Sequence, residues 1–140
     1  MRFMPARSFF DTNVLAYTDD HDSPTKQSRA LALFEEARRT GAGVVSTQVM
    51  QEYFVTVTRK LGVPVDVARR KVELFARLGL VVIDLADVLA AIDLHRLHQI
   101  AFWDALVVRA AQRANCSVLY TEDMQHGRRI DGLSILNPFL

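Results

Sequence analysis

At 140 residues the chain has the length of one domain, and with half of its residues apolar and 24% charged it is not a disordered tail. Seventeen Lys and Arg against sixteen Asp and Glu leave a formal charge of +1, which excludes a strongly basic nucleic-acid coat and an acidic tail protein but not a local basic path. Cys116 is the single cysteine, so no intrachain disulfide is possible, and a reducing, cytoplasmic setting is expected. Residues 1–7 lack the apolar stretch of a signal peptide, and the longest apolar run, residues 78–83, is far too short to span a bilayer. No repeat, low-complexity tract or linker divides the chain, so residues 1–140 are expected to form a single domain.

Ser8-Phe9-Phe10 reads as a buried strand that ends at Asp11-Thr12-Asn13, a turn into a short helix. Asp22-Ser23-Pro24 starts the next helix, with proline at its first position. Its apolar residues Ala30, Leu33, Phe34 and Ala37 recur in register until Gly41. Gly43-Val44-Val45 is a second strand. Ser46 or Thr47 then caps a helix with the apolar stripe Met50, Phe54, Val57 and Leu61, ended by Gly62 and Pro64. A helix is expected over residues 65–78 and a strand over 80–83. Helices over 85–98 and 103–114, a strand over 117–120 and a further strand over 133–136 complete the pattern. Short apolar strands alternating with helices predict an α/β fold. The expected architecture is a three-layer α/β/α sandwich with a four- to five-stranded parallel sheet.

Ligands of an open parallel sheet bind at the carboxyl ends of its strands. Asp11 follows the first strand and Asp123 the fourth. A helix between parallel strands runs backwards, so its first turns also lie at that edge. Asp104 is in the first turn of one such helix. Glu52 lies on the polar side of another, opposite its apolar stripe and beside Gln48 and Thr56. Taken singly, each acid has an ordinary reading: Asp104 as a helix cap, Glu52 as a solvated side chain, Asp11 and Asp123 as turn residues. Those readings do not account for four acids at one edge. Four ionised carboxylates in a cleft repel, and some protonate unless a cation compensates.

The oxygen donors suit Mg²⁺, or Mn²⁺ in its place, better than zinc. His95 and His98 share a helix face without enough further ligands for a zinc site. A cation held by carboxylates suits phosphodiester hydrolysis. Glycoside hydrolysis would need aromatic platforms, and Trp103 reads instead as a packed helix-start residue. The chain has neither a G-x-S-x-G elbow nor a P-loop, and Cys116 reads as a small core residue.

Four motifs occur in order: Asp11-Thr12-Asn13, then Ser46-Thr47-Gln48-Val49 leading to Glu52, then Phe102-Trp103-Asp104-Ala105, and finally Tyr120-Thr121-Glu122-Asp123-Met124-Gln125-His126-Gly127. Together they resemble the PIN-domain family, and within it the VapC-type toxins of type II toxin–antitoxin systems, over essentially the whole chain. The resemblance implies a Mg²⁺-dependent endoribonuclease whose acidic quartet is Asp11, Glu52, Asp104 and Asp123, with Asp11 and Asp104 the most regular metal ligands. It implies that Asn13 and Thr121 orient the acids or the water, and that Glu122 is an alternative fourth acid. It further implies a homodimer and a VapB-type antitoxin partner whose C-terminal segment covers the groove. Residues 66–78 and the preceding helix are the expected dimer surface.

An RNA substrate calls for a basic path. Candidates are Arg38, Arg39, Arg69, Arg70, Lys71, Arg128 and Arg129, of which Arg128 and Arg129 follow the acidic loop most closely. Two other classes remain open at this point. A receiver-like signalling module should carry an acidic pair near its N-terminus and a lysine after its last strand, yet no lysine follows Lys71. A catalytically idle PIN scaffold would not need all four acids. A phosphatase of the Asp-x-Asp kind is excluded by Asn13.

Overall fold

Phe9 and Phe10 are adjacent in sequence and both buried. Successive side chains of a strand point to opposite faces, so their sheet must be covered on both sides. A computed structural model describes residues 6–140; residues 1–5, most of the segment read as lacking a signal peptide, lie outside them. The sheet contains β1 (Ser8–Phe10), β2 (Gly43–Ser46), β3 (Gly79–Val81), β4 (Val118–Tyr120), β5 (Arg129–Ile130) and β6 (Leu133–Leu136), in the spatial order β3-β2-β1-β4-β6-β5. All pairings are parallel except that of β5 with β6.

The expected four- to five-stranded parallel sheet is therefore five parallel strands with a short antiparallel strand at one edge. β5 has only two residues, too few for periodicity to reveal. Its sequence signal is the turn: Asp131 and Gly132 both adopt positive φ, at 48° and 86°. Asp-Gly is favoured in two-residue hairpin turns of that kind.

The helices are α1 (Thr12–Tyr17), α2 (Pro24–Thr40), α3 (Thr47–Lys60), α4 (Val65–Ala76), α5 (Leu85–His98) and α6 (Phe102–Arg113). Connections from β1 to β2 to β3 step one way across the sheet, and the connection from β3 to β4 steps back. Right-handed crossovers consequently put α2, α3 and α4 on one face and α5 and α6 on the other. α2, α3 and α4 pack on β2, while α6 spans β2, β4 and β6. The three-layer sandwich follows.

Local contacts move several boundaries. Ser46, not Thr47, caps α3: its Oγ accepts from the Val49 N–H at 3.3 Å. Thr47 Oγ1 accepts instead from the Ile83 N–H, which draws residues 82–83 out of the ladder and ends β3 at Val81. α4 stops at Ala76 because the Arg77 N–H turns back to the Leu74 carbonyl. The buried side of α3 is Val49, Met50, Tyr53 and Val57; Phe54 and Leu61, expected in that stripe, are only partly buried.

The fully buried Tyr53 ring meets Phe75 edge to face at 5.0 Å, and Phe75 meets Phe34 likewise at 5.1 Å. The Tyr53 hydroxyl donates to Asp19 Oδ2, and Lys71 Nζ reaches Asp19 Oδ1 at 2.8 Å and Thr18 Oγ1 at 2.7 Å. Lys71, a candidate for the basic path, is thus engaged within the fold.

α5 and α6 are joined by a different cluster. Asp84 and Asp87 form a reciprocal capping box at the start of α5. The fully buried Asp87 carboxylate also accepts from Arg109 Nε at 3.0 Å and Arg113 Nη1 at 2.6 Å. Burial alone would raise the Asp87 pKa, but the backbone hydrogen bond at Asp84 and the two guanidiniums hold it below the ordinary value. Cys116 is buried as expected, and burial pushes its thiol up to about 11. No helix among the described residues is long and apolar enough to cross a membrane.

Candidate active site

The direction of the crossovers reverses between β1 and β4, and the strand ends part there to leave a crevice. Asp11 and the loop after β4 flank it. Asp11 is 6% exposed and doubles as the N-cap of α1. Its Oδ1 accepts from the Thr12 N–H at 2.7 Å, and its Oδ2 accepts from Thr121 Oγ1 at 2.8 Å. Thr121 Oγ1 in turn accepts from the Asp123 N–H at 3.1 Å and from Asn13 Nδ2 at 3.3 Å. Asn13 Nδ2 also donates to Asp123 Oδ2 at 3.0 Å, while Asn13 Oδ1 accepts from the Glu122 N–H at 3.1 Å. Asn13 and Thr121 therefore lock the β4 loop onto α1 and hold Asp11 and Asp123 in fixed relation.

The same loop sends its two acids in different directions. Glu122 Oε1 accepts from the Tyr17 hydroxyl, and its Oε2 pairs with Lys26 Nζ. The pairing outweighs partial burial and keeps Glu122 below its ordinary pKa. Asp123 lines the crevice, so it and not Glu122 is the fourth acid of the cavity.

The opposite walls come from α3 and α6. Gln48, Glu52, Thr56 and Lys60, every fourth residue of α3, face a cavity of about 310 Å³, as do Trp103, Asp104 and Val107 of α6. Gln48 Nε2 donates to the Trp103 carbonyl at 3.1 Å and ties the walls together, while Gln48 Oε1 is buried without a partner. Asp104 is the third residue of α6. The N-cap is Ala101, which offers no side-chain hydrogen bond, so Asp104 is not a cap. All four expected acids thus line one cavity.

Their electrostatics follow from that arrangement. Asp11 is raised from 3.8 to about 6, chiefly by burial, against the hydrogen bonds from Thr121 and Thr12 and with help from Asp123 and Asp104. Glu52 is raised by burial and then by Asp11, and Asp104 is raised by burial and then by Asp123. Among the described residues none of the four forms an ion pair, and Lys60 is the single cation lining the cavity. Nor are any three Asp, Glu, His or Cys side chains among the described residues closed up as a metal-binding group. The donor set is entirely oxygen and short of positive charge, which fits a hard divalent cation.

One expectation at the site is corrected, and two basic residues are placed away from the acids. Trp103 is not packed: it is 64% exposed at the cavity mouth. Its neighbours Ala105, Leu106, Val107 and Val108 supply the buried side of α6 and leave the indole outside. Arg128 and Arg129 do not line the cavity. Arg128 Nη2 donates to the His98 carbonyl at the end of α5, and Arg129 is held on the edge strand β5. Lys60 was missed; continuing the spacing of Gln48, Glu52 and Thr56 by one more step would have found it. Of the other basic candidates, Arg38, Arg39 and Arg70 pair with glutamates three residues away on exposed helix faces.

Comparison with solved structures gives a TM-score of 0.67 to the sarcin-ricin-loop-cleaving toxin VapC20 of Mycobacterium tuberculosis, at 18% identity over 83% of this chain and 89% of that one. A toxin–antitoxin complex from Klebsiella pneumoniae gives 0.68 at 18% identity, covering 94% of this chain and 97% of that one. VapBC2 from Rickettsia felis, bound to a DNA fragment from its promoter, gives 0.63 at 19% identity, covering 91% and 96%. These likenesses establish the shared fold. The curated proteins contain no match to the chain. The sequence profile of the PIN domain matches residues 8–132. With that match spanning most of its length, the chain belongs to the PIN domain family.

Proposed function

We propose that this protein is a Mg²⁺-dependent endoribonuclease, with Mn²⁺ able to substitute, and the toxin of a VapBC-type pair. The observation that carries the reading is the convergence of Asp11, Glu52, Asp104 and Asp123 on one cavity whose single cation, Lys60, pairs with none of them. Family membership supports a nuclease, and the structural likeness to proteins described as toxins and as toxin–antitoxin complexes supports the biological setting. One of those proteins cleaves an RNA loop, which favours RNA as the substrate here.

Asp11 and Asp104 would hold the cation, with Glu52 and Asp123 completing the oxygen-donor set. Bound there, the ion would supply Lewis acidity toward a phosphoryl oxygen and lower the pKa of water. The chain's own residues then have distinct tasks. Thr121 and Asn13 keep Asp11 and Asp123 from rotating. Without a cation, burial raises Asp11 to about 6, and a cation held there would favour its ionised form. Glu52, exposed on α3 and facing the cavity from the wall opposite Asp11, is placed to accept a proton from attacking water. Lys60 offers the cavity's one positive charge to a substrate phosphate, the part expected of Arg128 and Arg129.

A VapB-type antitoxin and a second copy of this chain are the proposed partners. The expected dimer surface on α4 exposes Val65 and Val67, whereas α5 exposes a longer apolar row of Leu85, Leu89 and Ile92. Size-exclusion light scattering of Leu89→Glu and Val67→Glu decides between these faces by which variant is monomeric.

The test of activity uses purified protein with single-stranded RNA under Mg²⁺, Mn²⁺ or chelator. Cleavage should require the metal and fail in Asp11→Asn and Asp104→Asn. Wild-type cleavage rates in chelator, or in Asp11→Asn, would overturn the reading.

A further inference from the structure

The indole of Trp103 is 64% exposed, beside Asp104 at the cavity mouth. It is also braced. Phe102, packed against the core, meets it at 5.1 Å and an interplanar angle of 74°, and the Trp103 carbonyl is held by Gln48. A large exposed aromatic held in place has one side fixed and the other available. The surrounding charge narrows what can occupy that side. The cavity presents four carboxylates and one lysine, so a polyanionic strand gains little affinity from charge there before a cation binds. A neutral contact is what the site can add, and the neutral, flat part of a nucleic acid is its base.

Resting on the ribonuclease reading, we infer that Trp103 is a stacking platform for one unpaired nucleobase next to the cleaved phosphate. A base inside a duplex is already stacked on its neighbours and cannot lie on the indole. Trp103 therefore selects single-stranded or looped RNA over duplex, and it binds base faces with little regard to sequence. Lys60, across the cavity on α3, is left to the backbone.

Trp103 is the only tryptophan, so its fluorescence reports this one position. The titration is made in the Asp11→Asn background with Mg²⁺ present, so that RNA survives, using a ten-residue oligoadenylate, the same strand annealed to its complement, and inorganic polyphosphate. The single strand should quench the indole; the duplex and polyphosphate should quench it much less.

Adding Trp103→Leu should weaken single-strand binding, read by anisotropy of a labelled strand, by about 5- to 150-fold, equivalent to the 1–3 kcal/mol of one stacked base. Trp103→Phe should recover part of that affinity. The slope of log affinity against log salt should not change, because no phosphate contact is lost. Far-ultraviolet circular dichroism and melting temperature confirm that both variants fold.

Equal affinity of Trp103→Leu and its parent for the oligoadenylate overturns the inference and leaves the ring as a protein-docking residue. So does a loss matched by polyphosphate. Quenching and affinity loss without metal-dependent cleavage by the wild type would sustain the base platform while rejecting the nuclease. Cleavage without either effect would do the reverse.

Discussion

Asp11 and Asp87 are both buried carboxylates, and their acidities move in opposite directions. Asp11 is raised to about 6, whereas Asp87 is lowered. Burial opposes the charged form of both and is the largest cause of the Asp11 rise, but at Asp87 it is overcome. The difference is company. Asp87 has Arg109 and Arg113 against its two oxygens; Asp11 has a hydroxyl, a backbone N–H and three other acids around the same cavity. A carboxylate that holds a fold together brings its counter-charge within the chain. A carboxylate cluster left without one is poised for a cation from solution.

The largest consequence concerns the paired site. Removing one partner of a buried ion pair leaves uncompensated charge, so Asp87→Ala should destabilise the protein by about 3–5 kcal/mol. Because Arg109 and Arg113 are partly exposed, the low end of that range is expected. Urea denaturation measures it, and a loss under ~1 kcal/mol would show that the clamp contributes little beyond an ordinary hydrogen bond.

The unpaired site should show its cost through pH. For Asp11 the folded pKa lies above the unfolded value, so its contribution is fully present below about pH 4 and is lost as pH rises through about 6. A shift from 3.8 to about 6, at 1.36 kcal/mol per unit, amounts to about 3 kcal/mol. Asp87 acts in the other sense: its contribution is present above the unfolded pKa and is lost only as pH falls below about 4. In chelator, wild-type stability relative to Asp11→Asn should therefore decline between pH 4 and pH 7. A flat difference across that interval would mean that Asp11 is not raised.

Activity sharpens the same contrast. Asp11→Asn keeps the size of the side chain but removes the charge, and should reduce RNA cleavage at least ~100-fold. Asp87→Ala, compared per folded molecule, should leave the rate within a few-fold. Comparable losses in both variants would erase the division between the fold-holding acid and the site acid.

The smallest effect is expected at Asp104. Its Asn variant relieves like-charge repulsion and should stabilise the metal-free protein by on the order of 1 kcal/mol. It should also lose most of the rise in melting temperature that Mn²⁺ gives the wild type, since a ligand of the native state stabilises only where it binds. A lower melting temperature in chelator with an unchanged Mn²⁺ shift would return Asp104 to a helix-dipole role.

Most of the fold was legible because alternating short strands and helices admit few topologies once crossovers are right-handed. Asp11, Glu52, Asp104 and Asp123 were legible for the same reason: residues at strand ends and early helical turns of a parallel sheet share an edge wherever they fall in the sequence. Glu122 and Asp123 were not separable, because neighbours in a loop have similar chain positions and differ only in what lies opposite. Tyr17 and Lys26, distant in sequence, drew Glu122 aside.

What the sequence determined by itself is therefore the set of elements apart from the two-residue β5, their order and the edge where the acids meet, since these follow from periodicity, caps and handedness. What only tertiary structure decided is the use of each side chain. It turned Lys71 inward to Asp19, Arg128 to the end of α5 and Trp103, expected to be packed, out to the cavity mouth. A long side chain sweeps several ångströms about its Cα, and its partner is chosen by the nearest opposite charge or apolar surface in three dimensions. That choice leaves no local pattern in the chain.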